Sequence, residues 1–73
     1  MRVSKSQHPS PHSFQVGDQC QFAVQEGSAG RILTGLVVDI HMGVATVAHT
    51  IYDAFEARAV LFYHIHTASI WHM

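Results

Sequence analysis

Between Arg31 and Thr50 apolar and polar side chains alternate as they do along an extended backbone. Leu36, Val38, Ile40 and Met42 fall on one side of such a chain, and Gly35, Val37, Asp39 and His41 fall on the other. A period of two predicts a half-buried strand, with Val37 on the outward face and Asp39 solvated beside it. His41-Met42-Gly43 then reads as a three-residue hairpin loop, a type I turn closed by a glycine at positive φ, where a side chain would cost energy. Val44, Thr46 and Val47 lead the chain back as the next strand. Upstream, Cys20, Phe22 and Val24 alternate with Gln19, Gln21 and Gln25, so a first strand turns its thiol and its ring inward after a tight entry at Gly17-Asp18. Glu26 to Gly30 is a small flexible connection, and without a following Lys-Ser or Lys-Thr it is not a phosphate cradle.

From Thr50 to His66 the pattern supports two structures. Thr50-Ile51-Tyr52-Asp53 has the form of a helix N-cap with an acid three residues on, and Ala54, Ala57 and Ala59 are strong helix formers. These residues predict an α+β alternative, a three-stranded antiparallel sheet with a helix over about 51–62 and a final strand. Phe55 to Val60 also alternates well enough for a strand, with Leu61 to Ile65 forming a short 3₁₀ turn. His66 to His72 then makes the last strand, with either Ala68 and Ile70 or Thr67 and Trp71 against the core, depending on register. The all-β reading is preferred.

Residues 1–13 hold four serines, two histidines and both prolines, with only Met1 and Val3 as apolar side chains. Such a segment cannot bury enough surface to offset its ordering entropy, so a disordered tail is expected there and one folded domain over 14–73. The whole chain has 73 residues, of which 48% are hydrophobic and only 12% charged, where an average soluble protein has roughly a quarter charged. A small domain with so little charge can bury in a subunit interface what it cannot bury in its own core, which points to a homo-oligomer. With Cys20 the only cysteine, an intrachain disulfide and a cysteine-rich zinc site are both excluded. A formal charge of −1 disfavours a nucleic-acid partner. The run Ala59 to Met73 is broken by His64, His66, Thr67, Ser69 and His72, so no transmembrane helix is expected, and without the apolar core of a secretory signal a cytoplasmic location follows.

Gly17-Asp18-x-Cys20-x-Phe22, Gly35-Leu36-Val37-Val38-x-Ile40, Ala45-Thr46-Val47 and the run from Ala59 to Ile65 together resemble the Src-homology-3-like small barrels, over about three quarters of the chain. The resemblance implies a five-stranded barrel. The same pattern is shared by Tudor-like and KOW-like modules, by bacterial and phage interaction domains and by the plasmid-borne type II dihydrofolate reductases. Only the last would imply an enzyme, a tetramer whose pore is lined by Val-Gln-Ile-Tyr. This chain has Phe55-Glu56-Ala57-Arg58 at the corresponding place, so the activity is not carried over.

The candidate chemistry is thin. His64 and His66, two apart on a strand, would put both imidazoles on one face and are weak metal candidates, yet no acid or thiol lies beside them in sequence. The five carboxylates form no evident catalytic pair, and no nucleophile elbow is present, so no catalytic residue, cofactor or metal is assigned. Val37, Tyr52, Tyr63 and Trp71 are the candidate binding residues, because large rings near strand ends add contact area at low entropy cost. The expected function is a non-catalytic, self-associating binding module whose partner is a second copy or another protein. Its interface is expected to combine the face around Val37 with the aromatic C-terminal segment, or an open strand edge paired across a dimer axis. The alternatives are a reductase-like oligomeric enzyme and a Tudor-like or KOW-like nucleic-acid contact.

Overall fold

Every connection between the first four strands is a two-residue turn, so the order of strands in the sheet follows the order in the chain. The computed structural model describes residues 13–73; the tail expected at the N-terminus lies almost wholly outside them. The strands are β1 (Gln19–Glu26), β2 (Ala29–His41), β3 (Val44–Asp53), β4 (Glu56–His66) and β5 (Ile70–His72), with a 3₁₀ turn at Thr67–Ser69 before β5. They form one antiparallel sheet in the order β4-β3-β2-β1-β5. The fold is all-β, and among the described residues no ladder joins β4 to any strand but β3.

The rival helix over 51–62 is absent. Ile51 to Asp53 and Glu56 to Phe62 are paired strands instead, in register Ile51↔Ala59 and Asp53↔Glu56. A helix there would scatter Ile51, Tyr52, Val60, Leu61 and Phe62 around its circumference, whereas β-branched and aromatic residues suit a cross-strand ladder. The Thr50-x-x-Asp53 signature is therefore overridden by tertiary pairing. β4 also runs on through His66, so the 3₁₀ turn falls at Thr67–Ser69 and not at Leu61–Ile65, and of the alternatives for the last strand it is Ile70 that is buried.

The turns are tighter than the sequence pattern indicates. Met42 (φ 52°) and Gly43 (φ 78°) lie between the paired residues His41 and Val44, which is a two-residue type I′ turn in place of the expected three-residue loop. Gly27, at φ 60°, begins the two-residue turn that replaces the expected flexible connection between Glu26 and Ala29. The β3–β4 turn is built from Ala54 (φ 52°) and Phe55 (φ 72°), both in the left-handed region without being glycine or asparagine. That conformation costs on the order of 1–2 kcal/mol per residue with a β-carbon.

The alternation along β2 is broken by one extra residue. The pairing with β3 slips between Val37 and Asp39, so Val38 is a bulge and the parity of the strand reverses there. Leu33, Gly35 and Val37 face inward before it, and Ile40 faces inward after it. Val37 is fully buried, while Leu36 (42% exposed) and Val38 (37%) point outward and Met42 sits at the turn. The expected inward set of Leu36, Val38, Ile40 and Met42 is thus corrected to Ile40 alone. The backbone of Val37 is held from the other side: its N–H donates to the Asp18 carbonyl (2.9 Å) and its carbonyl accepts from Gly17 N–H (2.8 Å).

Cys20, Phe22, Leu33, Val37, Ala45, Val47 and Ile70 form the core, with Phe14, Val24, Ile40, Tyr63 and Ile65 at its margin. β2 passes so close to β3 at Gly35 that a β-carbon there would collide with Cγ1 of Val47 and sit 2.8 Å from the Ala48 carbonyl oxygen. Beyond the pair Leu36↔Ala48 the ladder between β2 and β3 ends, and the sheet divides into two arms, β1–β2 and β3–β4.

Gly35→Ala is expected to destabilise the protein by about 1–3 kcal/mol, because besides the Val47 side chain it meets the Ala48 carbonyl, a backbone group that cannot swing aside. Urea unfolding checks this, and an unchanged midpoint would mean that the crossing has slack. Replacing Ala54-Phe55 by Asn-Gly should do the opposite, raising stability by about 1 kcal/mol through relief of the two left-handed residues, as read by the same titration.

Candidate functional site

The four sequence-derived binding residues do not form one site. Val37 is in the core, which corrects its placement on an outward face; the bulge at Val38 is the reason. Tyr63 is half-buried, with its ring 5.1 Å from that of Phe22. Tyr52 is 66% exposed and lies with Tyr63 along the cleft between the two arms. Trp71 is on β5, opposite Gln21, at the far side of the sheet from that cleft.

Leu33, His49, Ile51 and Leu61 line the same cleft, with Arg31 and Glu26 at its mouth. His49 ties the arms together: its Nδ1–H donates to the Thr34 carbonyl at 2.7 Å, which fixes the proton on that nitrogen because a carbonyl can only accept. Three of the carboxylates have structural duties. Glu26 pairs with Arg31 (3.2 Å) and Asp53 with Arg58 (3.4 Å), both on the surface, and Asp18 accepts from Gln15 N–H at 2.8 Å to close the entry turn. Burial, and after it the nearby Asp18 carboxylate, push the Cys20 thiol above its ordinary range, so it stays protonated and unreactive among its core neighbours.

The histidines are dispersed by the register. His64 and His66 share one face of β4, as their spacing predicts, and His66 stands opposite Val44, whose partner on the other side is His41. Two strand spacings, roughly 10 Å, therefore separate His41 from His66. His72 is engaged elsewhere, stacked on Phe14 with ring centroids 4.1 Å apart and donating from Nε2 to the Ser13 carbonyl at 2.7 Å. Among the described residues no group of three or more His, Cys, Asp or Glu could hold a metal ion.

The conspicuous surface is the β3–β4 arm itself. Tyr52, Phe55 (wholly exposed), Val60 (47%), Leu61 (43%) and Phe62 (60%) are all accessible, and so is Ile51. Tyr63 points to the core, so Leu61 is on its side of β4 while Val60 and Phe62 are on the other. Both faces of the arm are apolar. Of these exposed residues, only Tyr52 is among the candidate binding residues that the sequence offers. The signal for them is the uninterrupted run Ala59-Val60-Leu61-Phe62-Tyr63, since a strand with no polar alternation is one that needs cover on both sides.

Compared with known families, with characterised proteins and with solved structures, the chain matches none. No helix among the described residues is long and apolar enough to cross a membrane.

Val37→Lys places an ammonium among Phe22, Val47 and Ile70 with no buried polar partner. It should cost several kcal/mol and abolish cooperative folding, read by loss of β-sheet circular dichroism. A folded variant would remove Val37 from the core.

Proposed function

We propose that this chain is a non-catalytic protein-interaction module that works by self-association, built on the small-barrel plan of Src-homology-3-like domains. The strand order and the 3₁₀ turn before a short last strand support that plan. One observation carries the functional reading: a two-stranded arm with apolar side chains on both faces. A lone hairpin is marginal in water, and exposed apolar area of this kind marks an interaction site. Within the cleft, Glu26 and Arg31 are occupied in an ion pair and His49 in its bridge to Thr34.

Light scattering behind a sizing column, run at low micromolar and at high concentration, tests this. The expected result is a mass that is a multiple of 8.1 kDa at the higher concentration. A monomer throughout would overturn the reading.

A further inference from the structure

β4 is an edge strand among the described residues, and its unpaired side can be worked out residue by residue. Thr67 N–H donates to the Gly43 carbonyl at 2.9 Å, in line with the Val44↔His66 register. Antiparallel hydrogen bonding alternates along a strand, so Ile65, Tyr63 and Leu61 turn their backbone groups toward β3. His64, Phe62 and Val60 turn theirs away. The usual guards of such an edge are missing from its middle: Ala59 to Tyr63 contains no charge, no proline and no glycine. The pairing of β4 with β3 slips near Arg58, which ends the regular edge on that side.

The edge is complementary to itself when turned through two-fold symmetry. An antiparallel partner must place like faces opposite each other, which requires the axis to pass through a residue. With the axis at Leu61, Val60 of each copy faces Phe62 of the other, a β-branched and aromatic pair on the outer face. Ala59 faces Tyr63 on the inner face, small against large. Leu61 meets its own counterpart in a non-hydrogen-bonded position, and the exposed Val60, Leu61 and Phe62 are all covered. Moving the axis to Phe62 would set Val60 against His64, and moving it to Val60 would run the ladder into the irregularity at Arg58.

We infer that two copies of this chain join through antiparallel β4–β4 pairing centred on Leu61, making one continuous sheet of both subunits. This rests on the self-association reading and names its surface. The test uses the full chain. Leu61→Lys sets two ammonium groups directly opposite each other at the axis and, being at an exposed position, should leave the β-sheet circular dichroism intact while raising the dimer dissociation constant at least roughly tenfold. Leu61→Cys, a smaller change in bulk, should form an intersubunit disulfide on mild oxidation, because facing non-hydrogen-bonded residues come within bridging distance. Wild-type protein, with only buried Cys20, should form none. A wild-type dimer that Leu61→Lys leaves unchanged and that Leu61→Cys fails to cross-link would overturn the β4 interface while self-association stands. A monomeric wild type would overturn both.

Discussion

The close passage of β2 over β3 between Gly35 and Val38 is the constraint on which the rest of the structure depends. At Gly35 there is no room for a β-carbon, because the Ala48 carbonyl and the Val47 side chain already occupy that space. Two residues later the backbone of Val37 is bonded to the Gly17-Asp18 turn, and its side chain enters the core opposite Val47. Val38 then adds the extra residue that bends the strand. A bulge increases local twist, so β2 can stay with β3 on one side of this point and with β1 on the other. One strand of 13 residues serves two hairpins in this way.

Division of the sheet sets the energetics of the two arms apart. Cys20, Phe22 and Leu33 on the β1–β2 side are buried, helped by Ile70 from β5. The β3–β4 side beyond His49 receives no such cover from the described residues, and its inner-face residues Ile51 and Leu61 stay 40% and 43% exposed. Among the described residues a single side-chain hydrogen bond, from His49 to Thr34, spans the gap. The arm is therefore held by its ladder to its own partner strand and by whatever covers its faces. The two left-handed residues at its tip act against it, since Ala54 and Phe55 adopt the turn without the glycine or asparagine that would relax it.

Much of the sheet was legible in the sequence, and its errors have a common origin. The first strand read correctly because Cys20, Phe22 and Val24 alternate without interruption over a ladder with no slip. The second read wrongly because Val37-Val38 are two β-branched residues at a bulge: a strict period of two carries the parity of Ile40 back through the irregularity and assigns Leu36 and Val38 to the core. No local residue type announces that slip, which arises from the steric crossing at Gly35. The helix alternative had a local basis in Thr50, Asp53 and three alanines, and lost to a ladder of ten cross-strand partner pairs, most of which reach outside the 51–62 window. Of the candidate site, the two tyrosines were placed in one cleft, while Val37 was lost to the core through the same parity error and Trp71 belongs to another strand.

Low charge then takes on a definite spatial meaning. Glu26 with Arg31 and Asp53 with Arg58 put two ion pairs at the hairpin tips, where they are solvated and worth little to folding. What they do is keep the tips of the arms wet. From Ala59 onward the chain has no Asp, Glu, Lys or Arg, although an exposed edge is where a lone subunit would most need one. A single lysine at Leu61 would guard that edge at no cost to the core, since the position is already 43% exposed. On the proposed self-association, the apolar residue in its place serves a surface that meets a second copy, which puts that contact on β4 and not on the face around Val37, whose side chain is in the core.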